Sequence, residues 1–331
     1  MSSWENNIRR VEPYVPGEQP KEKNIIKLNT NENPYPPSPK VSEALREFDT
    51  DKMKLYPDPD SAVLVDALAE RYMVKPSQVF VGVGSDDVIS MAFMTFFNSD
   101  KPILFPDITY SFYDVWAEAY RIPYKRIPLD IDFRIDPSGY MTENGGIIFP
   151  NPNAPTGVFE NVSVIEKIVK ANPQSVVIID EAYIDFGGQS CMPLVEKYDN
   201  LLVVQTFSKS RSMAGMRIGF AVGNERLIKY LNDVKFSINS YTMNHITQIC
   251  AAEAVKDEEY FRLTVNKIIE TRERTKTRLI ELGFNFPDSM SNFIFASHYK
   301  KPACEIFEEL KNYRIYVRYW NKPAIYNYLR I

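Results

Sequence analysis

The sequence predicts an α/β fold, with a mostly parallel central sheet in a large domain and a smaller α+β domain after it. Between Val79 and Thr206, short apolar runs alternate with segments of helical period. That alternation is the signature of crossover helices packed on both faces of a parallel sheet. After residue 224 it gives way to charged helical stretches and then short strand-like runs.

Taken in order, residues 1–39 are polar and proline-rich, as in Tyr14-Val-Pro-Gly and Leu28-Asn-Thr-Asn-Glu-Asn-Pro-Tyr-Pro-Pro. They predict an extended arm packing with the small domain. Pro39 to Phe48 reads as a short amphipathic helix, and Leu55-Tyr-Pro-Asp-Pro-Asp60 as a turn. Ser61 is the expected N-cap of a helix over 61–73, since a serine oxygen can accept from first-turn amides. Strands are expected at 79–83, 102–106, 122–129, 146–150, 176–180 and 201–206, with helices at 85–97, 110–120 and 161–171. The run 218–222 follows its predecessor too closely for a crossover helix, so it should pair antiparallel. Glu225 to Phe236 and 241–282 read as helical. Strands at 293–296, 315–320 and 328–331, with a helix at 302–312, complete the small unit. The expected division is therefore an arm (1–39), a large domain (40–224) and a small domain (225–331).

Composition excludes several functions. The 331 residues are 44% hydrophobic and 25% charged, ordinary for a globular chain. A net charge of -4 argues against nucleic acid as a partner. There is no apolar run long enough for a membrane span, and no apolar signal region at the start. Cys191, Cys250 and Cys304 lie far apart, which suits neither a disulfide framework nor a zinc site and implies a reduced, cytoplasmic setting. His245 and His298 have no metal-type spacing, so no metal is expected.

The chemistry concentrates in four stretches. In Val79-Phe-Val-Gly-Val-Gly84-Ser-Asp-Asp, a strand, a glycine turn and a helix start follow one another, and a helix N-terminus is an anion site. A dinucleotide fingerprint would want a third glycine near position 87, which is Asp87. Asn151-Pro-Asn-Ala-Pro-Thr-Gly157 is a rigid turn. Val176-Val-Ile-Ile-Asp180-Glu-Ala-Tyr183 ends a buried strand on a carboxylate, with a phenol three residues on. In Thr206-Phe-Ser-Lys209-Ser, a lysine sits among hydroxyls just past another buried strand, with Arg217 eight positions further. An amine beside a buried strand is costly without a partner or a task.

Together, and in this order, these stretches resemble the fold type I aminotransferases, which use pyridoxal 5′-phosphate. The resemblance implies that Lys209 attaches the cofactor covalently and later moves the proton. It sets Asp180 against the ring nitrogen, where an opposite charge favours the protonated form. It implies Tyr183 at the ring hydroxyl and Tyr110 stacked on the ring. Gly84, Ser85, Asp86, Thr206, Ser208 and Arg217 would form the phosphate cup, Arg217 with a planar fork suited to phosphate oxygens.

The flanks Leu28-Asn-Thr-Asn-Glu-Asn-Pro, Tyr56-Pro-Asp-Pro and Pro106-Asp-Ile-Thr-Tyr110 are similar to the histidinol-phosphate aminotransferases of histidine biosynthesis. That implies histidinol phosphate and glutamate or 2-oxoglutarate as substrates, and a homodimer in which Tyr56 reaches the neighbouring subunit's cofactor phosphate. Arg330 would grip the α-carboxylate, while Arg318 and Tyr14 would recognise the substrate phosphate. Two features depart from the pattern. The family has Asn directly before Pro-Thr-Gly, where this chain has Ala154, leaving Asn153 or Tyr183 alone to meet the ring hydroxyl. The family also continues beyond the Leu-Arg strand with a terminal helix, whereas this sequence stops at Ile331, so the small domain is expected to be shortened. Alternatives within the family are a threonine-phosphate decarboxylase and an aromatic amino acid aminotransferase. The remote alternative, a cofactor-binding regulator, would need a DNA-binding domain that residues 1–40 are too short and proline-rich to form.

Overall fold

The computed structural model describes residues 3–331; the first two residues of the expected arm lie outside the described residues. In chain order the elements are β1 (Ile26–Lys27), α1 (Pro39–Glu47), α2 (Ala62–Tyr72), β2 (Val79–Gly82), α3 (Ser85–Phe96), β3 (Ile103–Pro106), α4 (Phe112–Tyr120) and β4 (Tyr124–Ile127). β5 (Gly146–Pro150), α5 (Val162–Ala171), β6 (Val177–Asp180), β7 (Leu201–Thr206) and β8 (Gly219–Gly223) follow. The chain continues through α6 (Glu225–Ile238), α7 (His245–Lys256), α8 (Glu258–Glu281), β9 (Phe284–Asn285), β10 (Phe295–His298), α9 (Ala303–Asn312), β11 (Ile315–Tyr316), β12 (Arg318–Tyr319) and β13 (Leu329–Arg330).

Seven strands form the central sheet in the order β2-β8-β7-β6-β5-β3-β4. β8 alone runs antiparallel to both its neighbours; the pairs from β7 across to β4 are parallel. The period-2 alternation of strand side chains sorts the core into two layers. From β5, β6 and β7, the side chains of Ile147, Phe149, Val177, Ile179, Leu201 and Val203 pack on one face among residues of α2, α5 and α7. Ile148, Ile178, Leu202 and Val204 pack on the other among residues of α3, α4 and α6. All ten are fully buried, each contributing roughly 1.5–3 kcal/mol relative to exposure. With both faces covered, polar groups gather at the carboxyl ends of the strands, where Gly82, Pro106, Pro150, Asp180 and Thr206 lie.

The C-terminal segment builds a second sheet, β12-β13-β10-β9, entirely antiparallel. The arm's β1 pairs parallel with β11. The arm is thereby stitched to the far end of the chain.

Several boundaries differ from expectation for local reasons. Ser61 sits at the N-cap of α2 with φ 53° and makes no side-chain cap; Asp58 Oδ2 instead accepts the Ala62 N–H at 2.7 Å. The expected helix 241–282 is two helices, because the Asp257 side chain accepts from Tyr260 N–H and starts α8 afresh. The run 315–320 is split between two sheets, β11 pairing with the arm and β12 with β13. Tyr110 and Ser111 precede α4 rather than opening it.

Candidate active site

Two adjoining cavities open at the carboxyl edge of the sheet. The inner one, of about 220 Å³, is lined by Ser85, Asp86, Tyr110, Ala154, Asp180, Tyr183, Thr206, Ser208, Lys209 and Arg217 among others. The outer one, of about 500 Å³, shares Thr30, Tyr110, Ala154, Tyr183 and Lys209 with it and extends to Tyr14, Trp320, Arg318 and Arg330. Residues as far apart in sequence as Tyr14 and Arg330 thus line one continuous space.

At the inner end, Gly84 turns the chain from β2 into α3 with φ 97°, a left-handed value that suits glycine. A Cβ there would lie 2.5 Å from Arg217 Nη2, so the absent side chain is what lets the guanidinium lie over the helix start. The α3 N-terminus has no side-chain cap, leaving first-turn N–H groups for an anion. Arg217 itself has φ 53°; it donates to Ser208 Oγ at 3.5 Å and pairs with Asp86 at 3.4 Å. Thr206 Oγ1 donates to Ser208 Oγ at 3.1 Å, so two hydroxyls and the Arg217 guanidinium form one linked group.

Asp180 is buried at the end of β6, and burial pushes its carboxyl up to about 6. Its Oδ1 accepts the Ala182 N–H at 3.2 Å and its Oδ2 the Tyr113 hydroxyl at 2.9 Å. Lys209 Nζ lies 5.7 Å from the Tyr183 ring centre and donates to the Thr30 carbonyl at 3.0 Å. Tyr183 accepts from Asn31 Nδ2 at 2.9 Å. Tyr110 donates to Asp86 at 2.9 Å; burial, then Asp86, push its phenol well above the usual range.

At the outer end, Arg330 Nη2 donates to the Asn29 carbonyl at 2.8 Å and Arg318 Nη2 to the Val15 carbonyl at 3.2 Å. Trp320 lies against both guanidinium groups, 5.1 Å from Arg330 and 5.4 Å from Arg318. Burial lowers the Arg330 pKa, and the neighbouring Arg318 charge lowers it further. Tyr14 lines this end, stacked on Phe112 at 4.2 Å.

Two sequence candidates stand apart from the cavities. Ala154 lines both, whereas Asn153 turns its Nδ2 to the Ile108 carbonyl and Thr156, each at 3.0 Å. Tyr56 is 78% exposed and stacks on Tyr241, away from both cavities. Sequence reasoning gave no role to Thr30, Asn31, Tyr113 or Trp320. The Asn-Thr-Asn run was visible in the arm, but nothing local signals that it folds back over Lys209.

The family profile described as Aminotransferase class I and II matches residues 23–331. The chain belongs to the class I and II aminotransferases. Curated relatives of this aminotransferase include the histidinol-phosphate aminotransferase of Lactococcus lactis subsp. cremoris, 51% identical over 99% of this chain and 92% of the relative. Another is histidinol-phosphate aminotransferase 1 of Hydrogenovibrio crunogenus, 53% identical over 99% and 92%. Among solved structures, the histidinol-phosphate aminotransferase of Clostridium acetobutylicum superposes with TM-score 0.85 at 21% identity, over 92% of this chain and 93% of that one. The Sinorhizobium meliloti protein, solved in complex with pyridoxal-5′-phosphate, gives 0.84 at 22%, over 92% and 85%. These two place the aminotransferase in fold type I.

This aminotransferase is a pyridoxal 5′-phosphate enzyme, and its residues fit that group. An uncapped helix start beside an arginine suits a phosphate, a buried carboxylate suits a ring nitrogen, and a lysine suits an aldehyde. Among the described residues, buried polar atoms without a partner include Asn29 Oδ1, Asn31 Oδ1, Thr109 Oγ1 and Arg330 Nε, all on residues lining the outer cavity rather than the inner one. No described helix is long and apolar enough to cross a membrane.

Proposed function

We propose that the chain transfers the amino group of histidinol phosphate to 2-oxoglutarate, giving imidazole acetol phosphate and glutamate in histidine biosynthesis. The observation that carries this reading is the pair Arg318 and Arg330 at one mouth of a cavity whose other end holds Lys209. Among the described residues, both guanidinium groups bond only backbone carbonyls, and both lean on Trp320, so their charge stands ready for an anion. The relatives named for this activity support the same substrate.

Each residue has a part in this reading. Gly84, Ser85, Asp86, Thr206, Ser208 and Arg217 hold the cofactor phosphate, Tyr110 covers the ring, and Tyr183 meets the ring hydroxyl. Asp180 stabilises positive charge on the ring nitrogen. When bound, the cofactor withdraws the electron pair left on the substrate carbon. Lys209 would anchor the cofactor and would move the proton between the substrate carbon and the cofactor carbon joined to the same nitrogen. Arg318 and Tyr14 receive the phosphate of histidinol phosphate, and Arg330 the carboxylate of glutamate. Fixed arginine forks favour both anions.

The working form in this reading is a cytoplasmic homodimer. Tyr56 stands 78% exposed beside Leu55 at 61% and Met53 at 60%, a patch suited to contact with a second copy. Twofold dimers are the commonest assemblies.

The test is a half-reaction. Mixed with histidinol phosphate and no keto acid, the holoenzyme should lose the visible absorption of its bound cofactor and release imidazole acetol phosphate. Amination of the cofactor by phenylalanine or tyrosine but not by histidinol phosphate would replace this reading with an aromatic aminotransferase.

A further inference from the structure

The geometry points to Tyr113 as a positioning residue that keeps Asp180 ionised and turned toward the cofactor's ring nitrogen. The inference rests on the role given to Asp180 above and adds the residue that makes it workable.

Tyr113 is fully buried in α4, with Phe93, Phe105 and Trp116 around its ring. Phenylalanine would fill that space equally well, so packing alone leaves the hydroxyl unexplained. A buried hydroxyl without a partner is costly. This one has a partner, Asp180 Oδ2 at 2.9 Å. Tyr113 lines neither cavity, so it acts through Asp180 rather than on the cofactor.

Asp180 needs that help. At 4% exposure it has no ion-pair partner among the described residues; besides Tyr113 it has the Ala182 N–H on Oδ1. The charged groups facing it are Asp86, which opposes its ionisation, and Lys209, which favours it. Burial dominates and drives the carboxyl up to about 6. The phenol's own proton is held far more tightly, since burial and the adjacent carboxylate raise Tyr113 well above its usual range. The bond therefore has one direction: Tyr113 donates and Asp180 accepts. A donated hydrogen bond favours the charged carboxylate.

The arrangement is economical in sequence. Tyr113 N–H donates to the Tyr110 carbonyl at 3.2 Å, and the two rings meet edge to face at 5.8 Å. A single turn thus presents Tyr110 to the cavity and Tyr113 to the carboxylate behind it.

The experiment uses Tyr113→Phe holoenzyme loaded with cofactor isotopically labelled at the ring nitrogen. In the wild type, the nitrogen resonance should report a protonated ring. In Tyr113→Phe it should move toward the unprotonated position, because a carboxylate deprived of its donor competes for the shared proton. Transamination should fall about tenfold to a hundredfold, the worth of one hydrogen bond to a charged group. With a cofactor analogue carrying carbon in place of the ring nitrogen, wild type and Tyr113→Phe should turn over equally slowly. A structural defect would persist with the analogue and overturn the proposal, as would an unmoved resonance. Asp180→Asn separates the two layers: if it too leaves the resonance unmoved, the reading of Asp180 fails. If it moves the resonance and Tyr113→Phe does not, only the role of Tyr113 falls. Should Tyr113→Phe hold cofactor poorly, infrared titration of the Asp180 carboxyl in cofactor-free protein decides, using Asp180→Asn to assign the band. The substitution should raise the pH at which that carboxyl ionises, and an unchanged titration would overturn the proposal.

Discussion

The Lys209 ammonium donates to the backbone carbonyl of Thr30 at 3.0 Å, while Asn33 Nδ2, three residues further along the arm, donates to the carbonyl of Lys209 itself at 2.8 Å. One stretch of arm therefore holds the lysine at both ends. This acceptor is main chain, so side-chain substitutions in the arm leave it in place.

Lys209→Ala should abolish covalent attachment of the cofactor. Borohydride treatment followed by mass measurement should find no adduct on the variant, and transamination should fall by about two to four orders of magnitude, the usual worth of a positioned acid–base group. An adduct at wild-type level would assign the role to another lysine.

Arg318→Ala should raise the KM for histidinol phosphate about tenfold to a hundredfold, the range for one charge-assisted bond. An unphosphorylated amine donor should be affected much less. Equal losses for both donors would make Arg318 a support for the arm through its bond to Val15.

Mixed dimers test the exposed tyrosine. If Tyr56 serves the partner's cofactor, a Tyr56→Phe subunit paired with a Lys209→Ala subunit contains one site free of both lesions. Mixing the two variants should therefore raise activity above the sum of the separate preparations. Light scattering showing a stable, active monomer would end the dimer reading.

The fold carries a pH dependence of its own. Glu181, the residue after β6, is buried and accepts from Ser190, Cys191 N–H and Gln205. Burial pushes its carboxyl up to about 7, from an unfolded value of 4.5. Between these values the folded chain binds more protons than the unfolded one, so this contribution is fully present below 4.5 and is lost as pH rises through 7. Thermal unfolding of cofactor-free protein should show Glu181→Gln gaining on the wild type by on the order of 2 kcal/mol between about pH 5 and pH 8. A constant difference across that range would show that Glu181 titrates normally.

Most of the sheet was legible because β2, β3, β5, β6 and β8 are apolar on both faces and end in glycine, proline or acid; β5 and β7 match the expected bounds residue for residue. The cofactor-facing candidates on those strand ends were legible for the same reason, since the topology delivers them to one edge. What the sequence concealed depends on contacts between distant segments. Asn31 meets Tyr183 across 152 positions, and Lys209 meets Thr30 across 179. Tyr113 reads as one more core aromatic until its hydroxyl is seen against Asp180. Asp58 displaced Ser61 as the cap of α2 because the turn puts Ser61 in the left-handed region and aims a carboxylate at the Ala62 amide.

The stitching of β1 to β11 has a further consequence. Arg330, from the last strand, grips the carbonyl of Asn29, and Lys209, from the central sheet, grips the carbonyl of Thr30. These are consecutive carbonyls of one backbone. The arginine that would meet an incoming anion and the amine that would carry out the chemistry are thus wired through a single peptide link. The backbone of this one stretch of arm therefore sets the spacing between that guanidinium and that amine.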